Sequence, residues 1–343
     1  MSHMVTRGGI SPTHLFFADD IMIFCKGNLK SLHNLVDLLG KYQRASGQIV
    51  CRKKSKIYYG GGSLSRRAYL ADFLGMSVAT FPDRYLGVQI MASTVRYHHI
   101  YNVVEKIKSQ LDGWKGFTLS FHDRIMLVKV VIASYSIHNM DIYKWPRKFI
   151  LQCERAIRNF IWSRDSNVSR VVVVAYDKIC CPVEEGGLGL SRMATMNNAM
   201  LIKLWWKIRT SNKNWDGYLK AKFFGRNGCI KTVGVKSTIV LGIRKVYKTV
   251  EANTKVLLGD DSDCLIDDQW VFPDVHLERL LDAGLEMHRL PNISGGNDKR
   301  IWMPNFSGEF TVSFAKELIR RRHSSLEAAS LLWRKEVHPT LAA

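Results

Sequence analysis

Along the first part of the chain the apolar residues switch between the two-residue period of a strand and the 3.6-residue period of a helix. Thr13 to Lys26 reads as two apolar strands that flank Asp19-Asp20. Leu32, Leu35, Val36, Leu39 and Tyr42 share one helical face, with Asn28 as the N-cap and Gly47 as the stop after Ser46. Ser55 to Tyr59 reads as a strand ended by Gly60-Gly61-Gly62. Ser63 caps a second helix that runs to about Leu74, and Arg84 to Met91 reads as a further strand. The pattern predicts an α+β arrangement, with helices on one face of a small antiparallel sheet.

From about residue 95 the period becomes helical. Ile100, Val103, Val104, Ile107, Leu111 and Trp114 mark one helix, and Ile125, Val128, Ile132 and Tyr135 a second. Pro146 stands at the first position of a third, where proline is tolerated; its face is Ile150, Cys153, Ile157, Phe160 and Ile161. A glycine-rich turn, Glu185-Gly186-Gly187-Leu188-Gly189, precedes a helix from about Met193 to Arg209. Residues 230–300 are less regular. Ile301 to Ser313 suggests a Trp-bearing strand pair turning at Phe306-Ser307-Gly308-Glu309, and a last helix covers about Val312 to Arg322. The fold class is therefore α+β at the N-terminus, grading into a mostly helical body.

Asp19 and Asp20 are the sharpest chemical signal. Two carboxylates between strongly apolar strands are costly unless something compensates them. Mg²⁺ does so through one or two carboxylates plus phosphate oxygens. The competing reading is a surface hairpin turn, where Asp is common. Asp260-Asp261 and Asp267-Asp268 lack apolar strands on both sides and read as loop carboxylates.

Composition narrows the classes. With 46% apolar and 23% charged residues the chain is globular, not disordered throughout. No apolar run reaches the roughly 20 residues that span a bilayer, so no membrane role is expected. The 50 Lys and Arg against 30 Asp and Glu give a net charge of +20, which favours a polyanionic partner, nucleic acid first. Lys41, Arg44, Arg52, Lys53, Lys54, Lys56, Arg66 and Arg67 fall in one segment without a single acid, a local charge of +8. Tyr58 and Tyr59 lie inside it, either to stack on bases or, at strand spacing and favoured for Tyr58, to pack. Lys106, Lys108, Lys115, Arg124 and Lys129 either follow a duplex groove or solvate helix faces. The seven cysteines include no Cys-x-x-Cys pair and imply reduced thiols in an intracellular protein. The histidines have no partners at ligand spacing, and no zinc is expected.

Phe17-Ala18-Asp19-Asp20 between apolar strands resembles the catalytic hairpin of a reverse transcriptase palm. The motifs downstream follow in the order of that family. Ser46-Gly47-Gln48-Ile49-Val50-Cys51-Arg52-Lys53-Lys54-Ser55 resembles its Gly…Asn-x-x-Lys-Ser segment, with Cys51 in place of Asn. Arg84-Tyr85-Leu86-Gly87-Val88 resembles the primer-gripping hairpin. Leu111-Asp112-Gly113-Trp114, Leu119-Ser120 and Asp123-Arg124 resemble the thumb, and the glycine-rich turn lies where the family has it. Ile301-Trp302-Met303-Pro304, Ser307-Gly308-Glu309-Phe310 and Trp333 resemble the start of its zinc-binding region. The subtype is the LINE (non-LTR) retrotransposon of plants.

The resemblance implies a partial palm over residues 1–92, a thumb-like helical region over 93–165, a connecting region over 166–300 and a truncated start of the zinc-binding region over 301–343. It implies RNA-directed DNA polymerisation by two-metal nucleotidyl transfer. Asp19 and Asp20 would be catalytic and would hold Mg²⁺ or Mn²⁺. Lys54 matches a lysine that protonates pyrophosphate, a solvated basic turn being the equal alternative. Arg52, Lys53, Lys54, Lys56, Arg84, Tyr85, Leu86 and Gly87 would meet an RNA template and a DNA primer. Such a palm needs a third, upstream carboxylate, yet the 18 residues before Asp19 hold no Asp or Glu. The chain then reads as an internal slice of a polyprotein, inactive alone; the alternative is a non-catalytic, basic, nucleic-acid-binding remnant of a retroelement. An uncovered sheet edge implies self-association. The nucleus is where such enzymes meet chromatin.

Overall fold

A computed structural model describes residues 13–91, 97–114, 117–132, 140–169, 174–211, 213–225, 230–231, 237–257, 265–266, 269–270, 299–327 and 329–332. It is a mixture of helices and small sheets, in keeping with an α+β class. Its contacts divide the chain into two units, Met1–Ile100 with Ser211–Thr238, and Tyr101–Thr210 with Ile239–Ala343.

The first unit opens with the hairpin β1 (His14–Phe17) and β2 (Asp20–Ile23). Helix α1 (Leu29–Ser46) starts where Asn28 Oδ1 accepts the Ser31 N–H at 2.8 Å, and it ends at Gly47. Helix α2 (Leu64–Leu74) starts where Ser63 Oγ accepts the Arg66 N–H at 3.2 Å. It crosses between β3 (Lys56–Ile57) and β4 (Ser77–Val78), which pair in parallel. The hairpin β5 (Asp83–Tyr85) and β6 (Val88–Ile90) follows. The core is Leu32, Leu70 and Leu74, with Val36, Ile57, Tyr59, Phe73 and Met76 packed on it. Tyr42, the last residue of the expected apolar face of α1, is exposed. In sequence order the unit's later segment carries helix α8 (Asn214–Phe223).

The second unit is helical. Helix α3 (Tyr97–Gly113) buries Val104, Ile107 and Leu111. Helix α4 (Phe121–Leu127) carries a full capping box, Ser120 with Asp123, and runs on as a π-helical turn over Val128–Ile132. Helix α5 (Arg147–Ser163) buries Phe149, Cys153, Ile157, Phe160 and Ile161. Pro146 is its N-cap, one residue outside the expected position. A short helix α6 (Tyr176–Ile179) and a 3₁₀ turn (Val183–Glu185) lead to α7 (Met193–Thr210), which packs on α5. Helix α9 (Thr238–Ala252) buries Val240, Ile243, Val246 and Val250. Strand β7 (Thr254–Leu257) pairs with β10 (Lys299–Trp302); between them β8 (Leu265–Ile266) pairs with β9 (Gln269–Trp270). Helix α10 (Val312–Ile319) packs on α7, and α11 (Ala329–Leu332) on the 3₁₀ turn.

Three expectations need correction. The N-terminal strands do not form one antiparallel sheet: each described pairing is a separate two-stranded sheet, and β3–β4 is parallel. The strands are too short to build a shared face, and α1 and α2 supply the core instead. Arg84 to Met91 is not one strand. It turns at Leu86 (φ 49°) and Gly87 (φ 79°), and two consecutive positive φ values make the type I′ turn that suits a hairpin. Ile301 to Ser313 does not pair with itself. The Trp302 N–H donates to Gly308 O at 2.7 Å and Asn305 Nδ2 to Glu309 O at 2.8 Å, which closes a loop and leaves β10 to pair with β7. The loop pairs Asp260-Asp261 and Asp267-Asp268, and also Lys115, Tyr135 and Trp333, lie outside the described residues.

Candidate nucleic-acid interface and acidic hairpin

In the β1–β2 hairpin, Phe17 faces Asp20 across the ladder, so the loop is only Ala18-Asp19. A two-residue loop with a positive φ at its first position is the II′ pattern, where glycine is preferred. Ala18 occupies that position at φ 51°. A non-glycine residue there costs about 1–2 kcal/mol. The strained turn puts Asp19 at the tip and Asp20 on the first rung of β2, both exposed to solvent. The flanks stay apolar and open: Phe16 is 62% exposed and Phe17 60%.

Two adjacent carboxylates have the hard-oxygen character that Mg²⁺ takes. Among the described residues, however, no group of three His, Cys, Asp or Glu side chains could hold a metal ion. Asp19 and Asp20 offer two carboxylates, short of such a group. No hydrogen bond or ion pair among the described residues joins them to Lys54.

Lys54 belongs to a tight turn after α1. Cys51 O accepts the N–H groups of Lys54 and Ser55, each at 3.1 Å, and Ser55 Oγ at 2.9 Å. This winding turns Arg52, Lys53 and Lys54 outward, all exposed. Gln48 on the approach accepts the Tyr42 hydroxyl, and the Val50 N–H donates to Gln43 Oε1 at 2.8 Å. Three adjacent cations on an ordered turn suit a row of phosphates, since each charge that neutralises a phosphate releases counterions. On the β5–β6 hairpin Arg84, Leu86 and Gly87 are exposed and Tyr85 is half-buried.

Lys56 is different from its neighbours: its ammonium is paired with Asp83, 2.9 Å from each carboxylate oxygen. The Tyr58 hydroxyl donates to Asp83 Oδ2 at 2.7 Å, and the Arg84 N–H to Oδ1 at 2.7 Å. Lys56 and Tyr58 are two apart along one extended segment, so both reach the same side. The Tyr58 ring also lies 5.3 Å from that of Phe81, yet the residue is 37% exposed. Asp83 therefore ties the β5–β6 hairpin to the basic segment. The hydrogen bonds from Tyr58, Lys56 and the Arg84 backbone lower its pKa to about 2. A depressed carboxylate adds stability above its unfolded pKa, near 3.9, and that stability is lost as pH falls through about 2. Asp83→Asn is expected to cost about 1–2 kcal/mol at pH 7. Urea unfolding at pH 7 and pH 2 should show the difference shrinking at the lower pH; an equal difference at both would contradict the assignment.

Of the cations on the helices that follow, Lys108 pairs with Glu105 at 3.3 Å. Arg124 fits neither a groove nor a solvated face as a free arm, because it is 5% exposed. Sequence reasoning missed both Asp83 and the burial of Arg124. The spacing of Lys56 and Tyr58 was the available signal for the first.

No protein-family model matches the chain. It is similar to a curated Arabidopsis thaliana protein provisionally named a ribonuclease H protein, 30% identical over 122 residues. The relative's name is that of a nucleic-acid enzyme. The alignment covers 35% of this chain and 20% of the relative, so the chain spans about a fifth of that protein's length. No helix among the described residues is long and apolar enough to cross a membrane.

Proposed function

We propose that the chain is part of a reverse transcriptase of the plant LINE (non-LTR) type, contributing the acidic hairpin of the palm, the turn and hairpin that meet template and primer, and a thumb. The observation that carries this reading is the strained two-residue turn that brings Asp19 and Asp20 together between apolar strands. The outward cations Arg52, Lys53 and Lys54 support it, as does the net charge of +20. The relative's name adds weight, because RNA–DNA hybrids are the product of reverse transcription and the substrate that a ribonuclease H cleaves. Mg²⁺ or Mn²⁺ would sit at Asp19 and Asp20 and would supply the charge that phosphoryl transfer requires.

A second reading, binding without catalysis, is favoured by one observation: no third metal ligand joins the two carboxylates among the described residues. One pair of experiments separates the two. RNA–DNA hybrid binding, followed by fluorescence anisotropy, should weaken with salt at a log–log slope of about −3 to −5, as several phosphate contacts require. Salt-insensitive binding, or none, would overturn both readings. Primer extension on an RNA template, with Mg²⁺ and then Mn²⁺, then compares the chain with Asp19→Asn. Extension lost in the variant supports the polymerase reading, extension indifferent to the variant refutes the assignment of Asp19, and binding without extension selects the non-catalytic reading.

A further inference from the structure

In the second unit, the β7–β10 ribbon has one packed side and one open side. Trp302 lies on the packed side, fully buried, with the rings of Trp206 at 5.6 Å and Phe310 at 5.0 Å. On the open side the antiparallel register sets Lys299 opposite Leu257 and Ile301 opposite Lys255, so these four residues share one face. Lys255, Leu257 and Lys299 are exposed. The two lysines are diagonal neighbours, about 7–8 Å apart along the backbone. Among the described residues neither joins an ion pair.

The loop after β10 adds an aromatic ring to that face. Trp302 and Phe310 at its two ends pack on each other, but Phe306 at its tip is fully exposed. A single exposed apolar residue is ordinary; this one is held out on a pinned loop. The Gly308 N–H donates to Asn305 O at 2.9 Å, and the Trp302 N–H to Gly308 O at 2.7 Å. Asn305 Nδ2 donates to Ser307 Oγ at 2.7 Å and to Glu309 O at 2.8 Å, while the Ser307 N–H returns to Asn305 Oδ1 at 3.2 Å. The loop folds back over the open side: a Cβ on Gly308 would stand 3.2 Å from Ile301 Cβ, and Ile301 is the residue paired with Lys255. Glu309 is the one acid among the described residues of β7, β10 and the loop, against Lys255, Lys299 and Arg300. A preorganised aromatic beside cations is how proteins hold single strands, the ring stacking on a base and the cations tracking the phosphates.

We propose that Phe306, Lys255 and Lys299 form a binding site for single-stranded nucleic acid, with Phe306 stacked on a base and the lysines on flanking phosphates. The site lies in the other unit from Asp19 and Asp20 and needs no polymerase activity. The test uses the full chain and fluorescence anisotropy. The probes are a labelled oligouridylate, an abasic oligomer of the same length, which keeps the phosphates without the bases, and an RNA–DNA hybrid. The variants are Phe306→Ala, Phe306→Trp and the double substitution Lys255→Gln with Lys299→Gln. All three positions are exposed, so the fold is kept.

Phe306→Ala should weaken oligouridylate binding by about 5- to 20-fold and leave its salt slope unchanged, the loss of one stacked base. Phe306→Trp should bind as well as wild type or better. The double lysine variant should lower the slope by about 1.4, two single-strand phosphate contacts at about 0.7 each. Binding of the abasic oligomer should be indifferent to Phe306→Ala. A wild type that does not bind oligouridylate, or a Phe306→Ala variant that binds it equally well, overturns the site. Equal losses for the abasic oligomer and the oligouridylate overturn the stacking role. Competition by polyglutamate that is as strong as that by oligouridylate, and is lost in Phe306→Ala, overturns nucleic acid as the occupant in favour of an acidic protein segment. A wild type that binds the hybrid but not the single strand overturns this site and leaves the function proposed above standing.

Discussion

Gly187→Ala is expected to lower the thermal midpoint of the unit that holds it by about 6–12 °C, measured by calorimetry. A Cβ at this position would stand 2.1 Å from Cys181 O, 2.6 Å from its carbonyl carbon and 2.8 Å from its Cα. All three are backbone atoms, so no side chain can swing aside. The turn is also pinned from three directions. The Gly187 N–H donates to Pro182 O at 2.9 Å, the Leu188 N–H to Ile179 O at 2.9 Å, and the Gly189 N–H to Cys181 O at 2.8 Å. Relief of the clash must break some of these. Overpacking costs typically about 1–3 kcal/mol, and a backbone-on-backbone clash belongs at the top of that range. For units of this size each kcal/mol moves the midpoint by about 2–4 °C. Gly60→Ala is the control, since nothing lies within 4 Å of its Cβ, and it should stay within about 0.5 kcal/mol of wild type. A Gly187→Ala midpoint unchanged from wild type, as expected for Gly60→Ala in the other unit, would show that the turn yields more readily than its hydrogen bonds imply. The glycine-rich turn thus owes its composition to close packing, and nothing in its geometry requires a ligand.

The helices were legible because their signals are local. Asn28 and Gly47 bound α1, Ser63 and Gly75 bound α2, and each cap acts within four residues of itself. The strands were not, because a strand is completed by a partner that the local pattern does not name. β10 has a good turn directly after it, yet it pairs with β7, forty-odd residues upstream. The candidate site divides in the same way. The β1–β2 hairpin is contiguous, so period-2 flanks and a two-residue loop made Asp19-Asp20 readable. Asp83 lies 27 residues from Lys56 and 25 from Tyr58, and only the fold brings the three together. Arg124 occupies a polar position in its helical pattern, and what lies over it depends on α5.

Glu185→Ala is expected to destabilise the same unit by about 2–4 kcal/mol at neutral pH. The Glu185 side chain is 11% exposed and that of Arg320 17%. Arg320 Nη1 donates to Glu185 Oε2 at 2.9 Å and Nη2 to Oε1 at 2.6 Å, a two-pronged pair. The His323 N–H adds a third donor at 3.0 Å. Together with the Leu326 N–H on Glu184 O at 3.0 Å, this fastens the chain beyond α10 to the glycine-rich turn. Removing one partner of a buried pair costs about 3–5 kcal/mol, because the other charge is stranded. Here the cost is lower, since Arg320 keeps Glu317 at 2.6 Å. The Arg320 hydrogen bonds, foremost, and the His323 N–H hold the Glu185 pKa below the usual carboxylate range against the opposing effect of burial. The pair therefore stabilises fully above the unfolded Glu value, near 4.3, and its contribution fades as pH falls below it. Denaturant unfolding of wild type and Glu185→Ala should give a gap that is full at pH 7 and much reduced near pH 3. A gap that does not change with pH would mean the side chain acts by packing, not by charge. Arg320→Lys should also lose stability, because an ammonium cannot reproduce the fork that meets both oxygens.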